Sequence, residues 1–148
     1  MNDSIHQNEM YLEFPSHSCN EAFARSTAAA FLIPLDPTME ELSDIKTAVS
    51  EAVTNSIVHG YPDSVGQIRM HCLIENRTIT ITVEDQGIGI EDIRQARTPM
   101  FTTGGEQRSG MGFTIMERFM DSLSVTSAPG KGTAVVMQKT LSTGASEA

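Results

Sequence analysis

The chain has 148 residues, 39% apolar and 20% charged, enough for one hydrophobic core and unlike the composition of a disordered protein. Its net charge is −9, and the ten Lys and Arg residues scatter from Arg25 to Lys139 without a run, which disfavours direct contact with nucleic acid. Cys19 and Cys72 lie far apart with no second Cys near either, so neither a zinc framework nor a disulfide scaffold is indicated and both read as reduced, half-buried thiols. No basic segment leads into an apolar stretch at the N-terminus, and no window approaches the roughly 18 apolar residues of a membrane span, so a cytoplasmic protein is expected.

In chain order, Met10, Leu12 and Phe14 alternate with Tyr11 and Glu13, the pattern of a half-buried strand ended by Pro15. Ser18 with Glu21 three residues on predicts a capping box opening a helix that Pro34 stops. Thr38 with Glu41 predicts a second capping box, and Leu42, Ile45, Val49, Ala52, Val53 and Ser56 form one helical stripe before Gly60, the expected C-cap. β-Branched stretches from Gln67 to Leu73 and from Thr78 to Val83, with Glu75, Asn76 and Arg77 between them, predict a hairpin.

Glu91 to Arg97 reads as a short helix before Pro99, and Phe101 to Gly110 as a loop too rich in Gly, Thr and Ser for regular structure. Met111 to Phe119 has helical spacing, Leu123 to Ser127 and Thr133 to Leu141 read as strands, and Ala128 to Gly132 as the turn between them. Neighbouring strands in hairpins and helices in separate blocks predict an α+β fold, with the helices on one face of an antiparallel or mixed sheet. One domain over 1–141 and a short tail over 142–148 are expected.

Three groups of residues can carry chemistry. Glu51, Asn55 and His59 stand at i, i+4 and i+8 of the long helix, each about 6 Å along the axis from the next. A carboxamide oxygen there suits Mg²⁺, and a carboxylate can accept a proton; a solvated helix face would show the same residues. Asp85-x-Gly87-x-Gly89 follows a strand, and a dinucleotide fingerprint starting at Gly87 fails because its third glycine position holds Asp92.

An aspartate at the end of a buried strand can instead accept a hydrogen bond from an exocyclic amine such as that of adenine, although Asp-x-Gly is also a common tight turn. The third group is Arg108-Ser109-Gly110-Met111-Gly112-Phe113, glycine-rich and leading into a helix whose N–H groups could face phosphate, with Arg108 able to neutralise it. The phosphate-loop motif with its lysine and the eukaryotic-type protein kinase signatures are absent. Gly132-Thr133, entering the last strand, places a hydroxyl that could join the hydrogen-bond network of the aspartate.

Taken in this order, Glu-x-x-x-Asn, Asp-x-Gly-x-Gly, Gly-x-Gly and Gly-Thr resemble the ATP-site boxes of the GHKL superfamily, shared by histidine kinases and gyrase, over nearly the whole chain. Val49-Ser50-Glu51-Ala52-Val53-Thr54-Asn55 with His59-Gly60-Tyr61, and Arg108 through Glu117, resemble the family of sporulation anti-sigma factors, serine kinases that hold sigma factor F. The resemblance implies a two-layer α/β sandwich with helices over a mixed, mostly antiparallel sheet, ATP and Mg²⁺ as cofactors, and a homodimer. It implies Glu51 as general base, Asn55 as Mg²⁺ ligand, Asp85 as adenine reader supported by Gly87, Gly89 and Thr133, and Gly110 and Gly112 as phosphate-facing glycines.

The same resemblance places Thr103 and Arg108 in a lid over the nucleotide and Arg25 in docking of both the sigma factor and an anti-anti-sigma protein phosphorylated on serine. The stretch from Thr103 to Arg108 is one residue shorter and more glycine-rich than the lid it resembles. Two other readings share these residues: a stress-response anti-sigma kinase, and a nucleotide-gated sigma-binding module without turnover. A detached histidine kinase domain would need a phosphoacceptor helix pair for which the chain has no room.

Overall fold

The computed structural model describes residues 6–90 and 108–142, with the side chains of 108–111 left out of the description. Strand β1 (Gln7–Pro15) leads into α1 (Asn20–Leu32), a short 3₁₀ turn over Ile33–Leu35, and α2 (Met39–Asn55), which runs on as a five-residue π-helical turn over Ser56–Gly60. β2 (Gln67–Glu75), β3 (Thr78–Asp85), α3 (Arg108–Phe119), β4 (Ser122–Ser127) and β5 (Thr133–Thr140) follow. The strands lie in the order β1-β2-β3-β5-β4, and every pairing among them is antiparallel. The mixed sheet implied by the resemblance is thus antiparallel throughout the described strands, each pair being joined or brought together without a parallel crossover.

One face of the sheet is sealed by the helices. Ile68, Met70, Cys72 and Ile74 of β2 and Ile79, Ile81 and Val83 of β3 are fully buried at every second position, against Ala24, Ala28 and Leu32 of α1 and Ile45, Val49, Ala52 and Val53 of α2. α2 packs against α1 on one side and α3 on the other, with Phe113 and Met116 of α3 closing the core. The other face stays open. There Tyr11 stacks on His71 with ring centroids 4.3 Å apart, and the Arg69 guanidinium lies 5.7 Å from the Tyr11 ring while pairing with Glu13. Cys72 is buried, its thiol pushed up to about 12 by burial, whereas Cys19 is exposed; neither is half-buried.

α2 owes its start to the predicted capping box. Thr38 Oγ1 accepts the Glu41 N–H at 3.0 Å and Glu41 Oε1 accepts the Thr38 N–H at 2.9 Å. Glu41 has a second task, because its Oε2 accepts the Ser142 N–H at 2.7 Å, while Arg77 donates to the Ser142 and Leu35 carbonyls.

The box predicted at Ser18 and Glu21 does not form. Cys19 takes the N-cap position with no side-chain cap, and Glu21 is engaged elsewhere, accepting from the Ser50 hydroxyl of α2 and pairing with Arg25 at 3.4 Å. The predicted loop also ends sooner than expected, since Arg108, Ser109 and Gly110 already belong to α3. The short helix expected over Glu91 to Arg97, and Thr103, lie outside the described residues.

Candidate functional site

The turn that ends α2 meets the end of β3 and the β4–β5 turn at Asp85, while further back along α2 Glu51 and Asn55 meet Gly112 of α3. Asp85, the last residue of β3, is only 3% exposed and stands opposite Thr133, the first residue of β5, which is itself buried. Its Oδ1 accepts the Gly87 N–H at 2.9 Å, while its Oδ2 is buried without a hydrogen-bond partner among the described residues. Burial pushes this carboxyl above its ordinary value; the Gly87 N–H, the Ser56 hydroxyl and the Thr133 backbone oppose the rise, without closing a hydrogen bond to Oδ2. An orphaned buried acceptor at the rim of a turn fits an N–H donor brought by a ligand.

The π-helical turn builds the floor beneath it. The Tyr61 N–H reaches the Ser56 carbonyl at 3.1 Å, five residues back, so Gly60 is the last residue of a widened turn and not the C-cap expected from sequence. Gly60 packs on Asp85 so closely that a Cβ there would sit 3.0 Å from both carboxylate oxygens, and its carbonyl accepts the Ile88 N–H at 2.9 Å. Gly87 lies on Gly60 with room for nothing larger, a Cβ falling 2.1 Å from the Gly60 carbonyl oxygen. Gly89 has φ +79° and lies against the Ala128 carbonyl, both of which demand glycine.

The turn after β3 is stitched to the turn between β4 and β5. The Gly130 N–H donates to Ile88 O at 2.7 Å, and the Ile90 N–H to Ser127 Oγ at 2.7 Å. Ser127 Oγ also lies 2.8 Å from the Gly132 carbonyl and 2.8 Å from Thr133 Oγ1. A hydroxyl has one proton, so if Ser127 gives its own to Gly132, Thr133 must be the donor in their bond. The Thr133 hydroxyl thereby joins the wall behind Asp85, by way of Ser127.

Glu51, Thr54, Asn55, His59 and Gly112 line one small cleft, so the widened turn keeps His59 beside the other two residues of its predicted row. Asn55 is 7% exposed. α3 comes close at Gly112, where a Cβ would lie 3.3 Å from Glu51 Oε1. Glu51 also borders a second hollow, a groove of about 390 Å³ between α1 and α2 that holds Arg25, Lys46 and the hydroxyls of Ser26, Ser43 and Thr47.

No group of three or more His, Cys, Asp and Glu able to hold a metal occurs among the described residues, so a divalent ion at Asn55 would need oxygens from a ligand. Gly110 lies in the first turn of α3; Arg108 opens that helix, with its side chain outside the described residues.

Sequence reasoning passed over Ser56, Tyr61 and Ser127. Ser56 was legible only as part of the apolar stripe, and Ser127 as the end of a strand. Tyr61, whose hydroxyl accepts the Gln86 N–H at 2.7 Å and donates to Gln67 O at 2.7 Å, was legible only as part of the resembling His59-Gly60-Tyr61 stretch, with no role attached.

The chain matches the family described as histidine kinase-like ATPase domain over residues 15–139. It is 57% identical over 136 residues to the anti-sigma F factor of Clostridium novyi, covering 90% of this chain and 95% of that one. It is 52% identical over 138 residues to the anti-sigma F factor of Bacillus subtilis, covering 92% and 94%. In fold it is similar to the solved RsbU and RsbW domains of a Mycobacterium tuberculosis protein, with a TM-score of 0.65 at 17% identity over 90% of this chain and 32% of that one. It is likewise similar to the histidine kinase domain of a blue-light activated kinase of Erythrobacter litoralis, with a TM-score of 0.55 at 22% identity over 82% of this chain and 61% of that one. No helix among the described residues is long and apolar enough to cross a membrane. With its α+β sandwich and its order of boxes, the chain belongs to the histidine kinase-like ATPase family and, within it, to the anti-sigma F factors.

Proposed function

We propose that this chain is a cytoplasmic, ATP- and Mg²⁺-dependent serine kinase that binds and inhibits sigma factor F and phosphorylates, and so inactivates, the anti-anti-sigma protein that opposes it. The observation that carries the kinase half is the position of Glu51. Its carboxylate borders both the cleft that holds Asn55 and Gly112 and the groove that holds Arg25, so a hydroxyl entering from the groove meets a proton acceptor beside the candidate phosphate site. The orphaned Oδ2 of Asp85 supports adenine as the base, through its exocyclic amine.

In this reading Asp85 orients the nucleotide, and Gly87 and Gly89 let backbone approach it. Asn55 would hold Mg²⁺ through its side-chain oxygen, and the ion would supply charge neutralisation at the phosphates. The N-terminal turns of α3, with Gly110 and Gly112, face the phosphates, and Thr103 and Arg108 take the lid roles that the resemblance implies. As the serine oxygen attacks the terminal phosphorus, Glu51 takes its proton, the bond to the bridging oxygen breaks, and ADP leaves. Arg25 docks both protein partners. The helix-free face of the sheet, where Tyr11 is 60% exposed, is where a second copy of the chain would pack.

The test is incubation with γ-labelled ATP, Mg²⁺ and an anti-anti-sigma protein, comparing wild type with Glu51→Gln. Label on substrate serine with wild type alone is the expected result. No transfer, with ATP binding and sigma retention intact, would replace the kinase by a nucleotide-gated sequestering module.

A further inference from the structure

The β2–β3 ladder stops at the pair Ile68 and Asp85, and its next rung would join Gln67 to Gln86. That rung is not made. The Tyr61 hydroxyl stands between the two residues, accepting the Gln86 N–H and donating to the Gln67 carbonyl, 2.7 Å on each side. Gly66 makes room for the ring, since a Cβ there would fall 2.2 Å from Tyr61 Cε1. The phenol thus holds the ladder one hydroxyl's width open, at the residue immediately after Asp85.

We propose that Tyr61 is a positioning residue for base recognition: its hydroxyl holds Gln86 away from the sheet, so that the Asp85 carboxylate and the Gly87 N–H keep the alignment in which Oδ2 remains open to an exocyclic amine. Two features make this more than a packing role. Tyr61 is the residue whose N–H closes the π-helical turn, so the backbone that sets Gly60 against the Asp85 carboxylate also carries the ring that props Gln86. Losing the hydroxyl, moreover, need not leave broken hydrogen bonds, because Gln86 N–H and Gln67 C=O face one another across it and can pair directly. The ladder would close by one rung and draw Asp85 with it.

The inference rests on the nucleotide reading above, and the test separates the two. Wild type and Tyr61→Phe are titrated with ADP and with GDP, and their unfolding midpoints compared. Phe keeps the ring over Gly66 and the midpoint close to wild type, while ADP affinity falls about tenfold, the scale of one well-placed hydrogen bond, and the preference for ADP over GDP narrows. Wild type without affinity for ADP overturns the nucleotide reading and this proposal together. Wild type that binds ADP, with a Phe variant within twofold of it and an unchanged base preference, overturns the positioning role alone.

Discussion

Burial pushes the Asp85 carboxyl above the ordinary value of 3.8, against the pull of the Gly87 N–H, the Ser56 hydroxyl and the Thr133 backbone. The folded protein therefore holds this proton more tightly than the unfolded chain does. The corresponding stability is present below 3.8 and is lost as pH rises through the raised value. Asp85→Asn keeps the acceptor for Gly87 and removes the charge, so without nucleotide it raises the thermal midpoint near neutral pH, a gain that fades as pH falls toward 3.8; scans across pH check this. The same variant loses ADP affinity by roughly tenfold or more, the worth of a hydrogen bond to a charged acceptor.

Glu51 and Asn55 share a cleft but divide the labour. Glu51→Gln retains nucleotide affinity and loses about a hundredfold or more of phosphoryl transfer, the usual share of a general base. Asn55→Ala loses the part of nucleotide affinity that depends on Mg²⁺. Titration with and without Mg²⁺ checks both, and equal losses in the two variants would break the assignment.

Among the elements, α2 carries both the candidate base, Glu51, and the candidate Mg²⁺ ligand, Asn55. Its capping box lies at Thr38 and Glu41, its functional residues at the opposite end. Thr38→Ala costs about 1 kcal/mol of stability, read as a lower urea midpoint, and leaves nucleotide affinity intact while the protein stays folded. This box was legible because both of its hydrogen bonds join residues three apart. The identical spelling at Ser18 and Glu21 misled because Glu21 is claimed by Ser50 and Arg25, and the Ser50 contact joins two helices.

Strand alternation in β2 and β3 was legible for a similar local reason, as was the hairpin turn, where Asn76 takes a positive φ of 57°. The π-helical turn was not. It is held by Gly60 meeting Asp85 and Gly87, residues far along the chain, so the expected stop at Gly60 became a continuation. The row of Glu51, Asn55 and His59 could be read from spacing, and the aspartate from its turn. That one oxygen of that aspartate is buried and unpartnered, and that a tyrosine props its neighbour, depend on the assembled sheet.

At the scale of the whole molecule, a chain of net charge −9 carries Arg25 and Lys46 in the groove between α1 and α2. Arg25 is already paired with Glu21, so a partner's carboxylate would compete for it at a half-exposed site, where a single ion pair is worth little. Arg25→Ala is accordingly expected to weaken partner binding several-fold, with ATP affinity unchanged; a partner titration alongside a nucleotide titration checks it. Unchanged partner affinity would remove Arg25 from the interface.

Glu41 joins segments 101 positions apart, bonding Thr38 with one oxygen and Ser142 with the other. During synthesis the first of these bonds can form as soon as α2 emerges, but the second waits until Leu141 and Ser142 have left the ribosome. The helix that carries Glu51 and Asn55 is therefore tied to its finished form only when β5 has been made, which makes the nascent protein complete its described strand order before α2 is locked at the start.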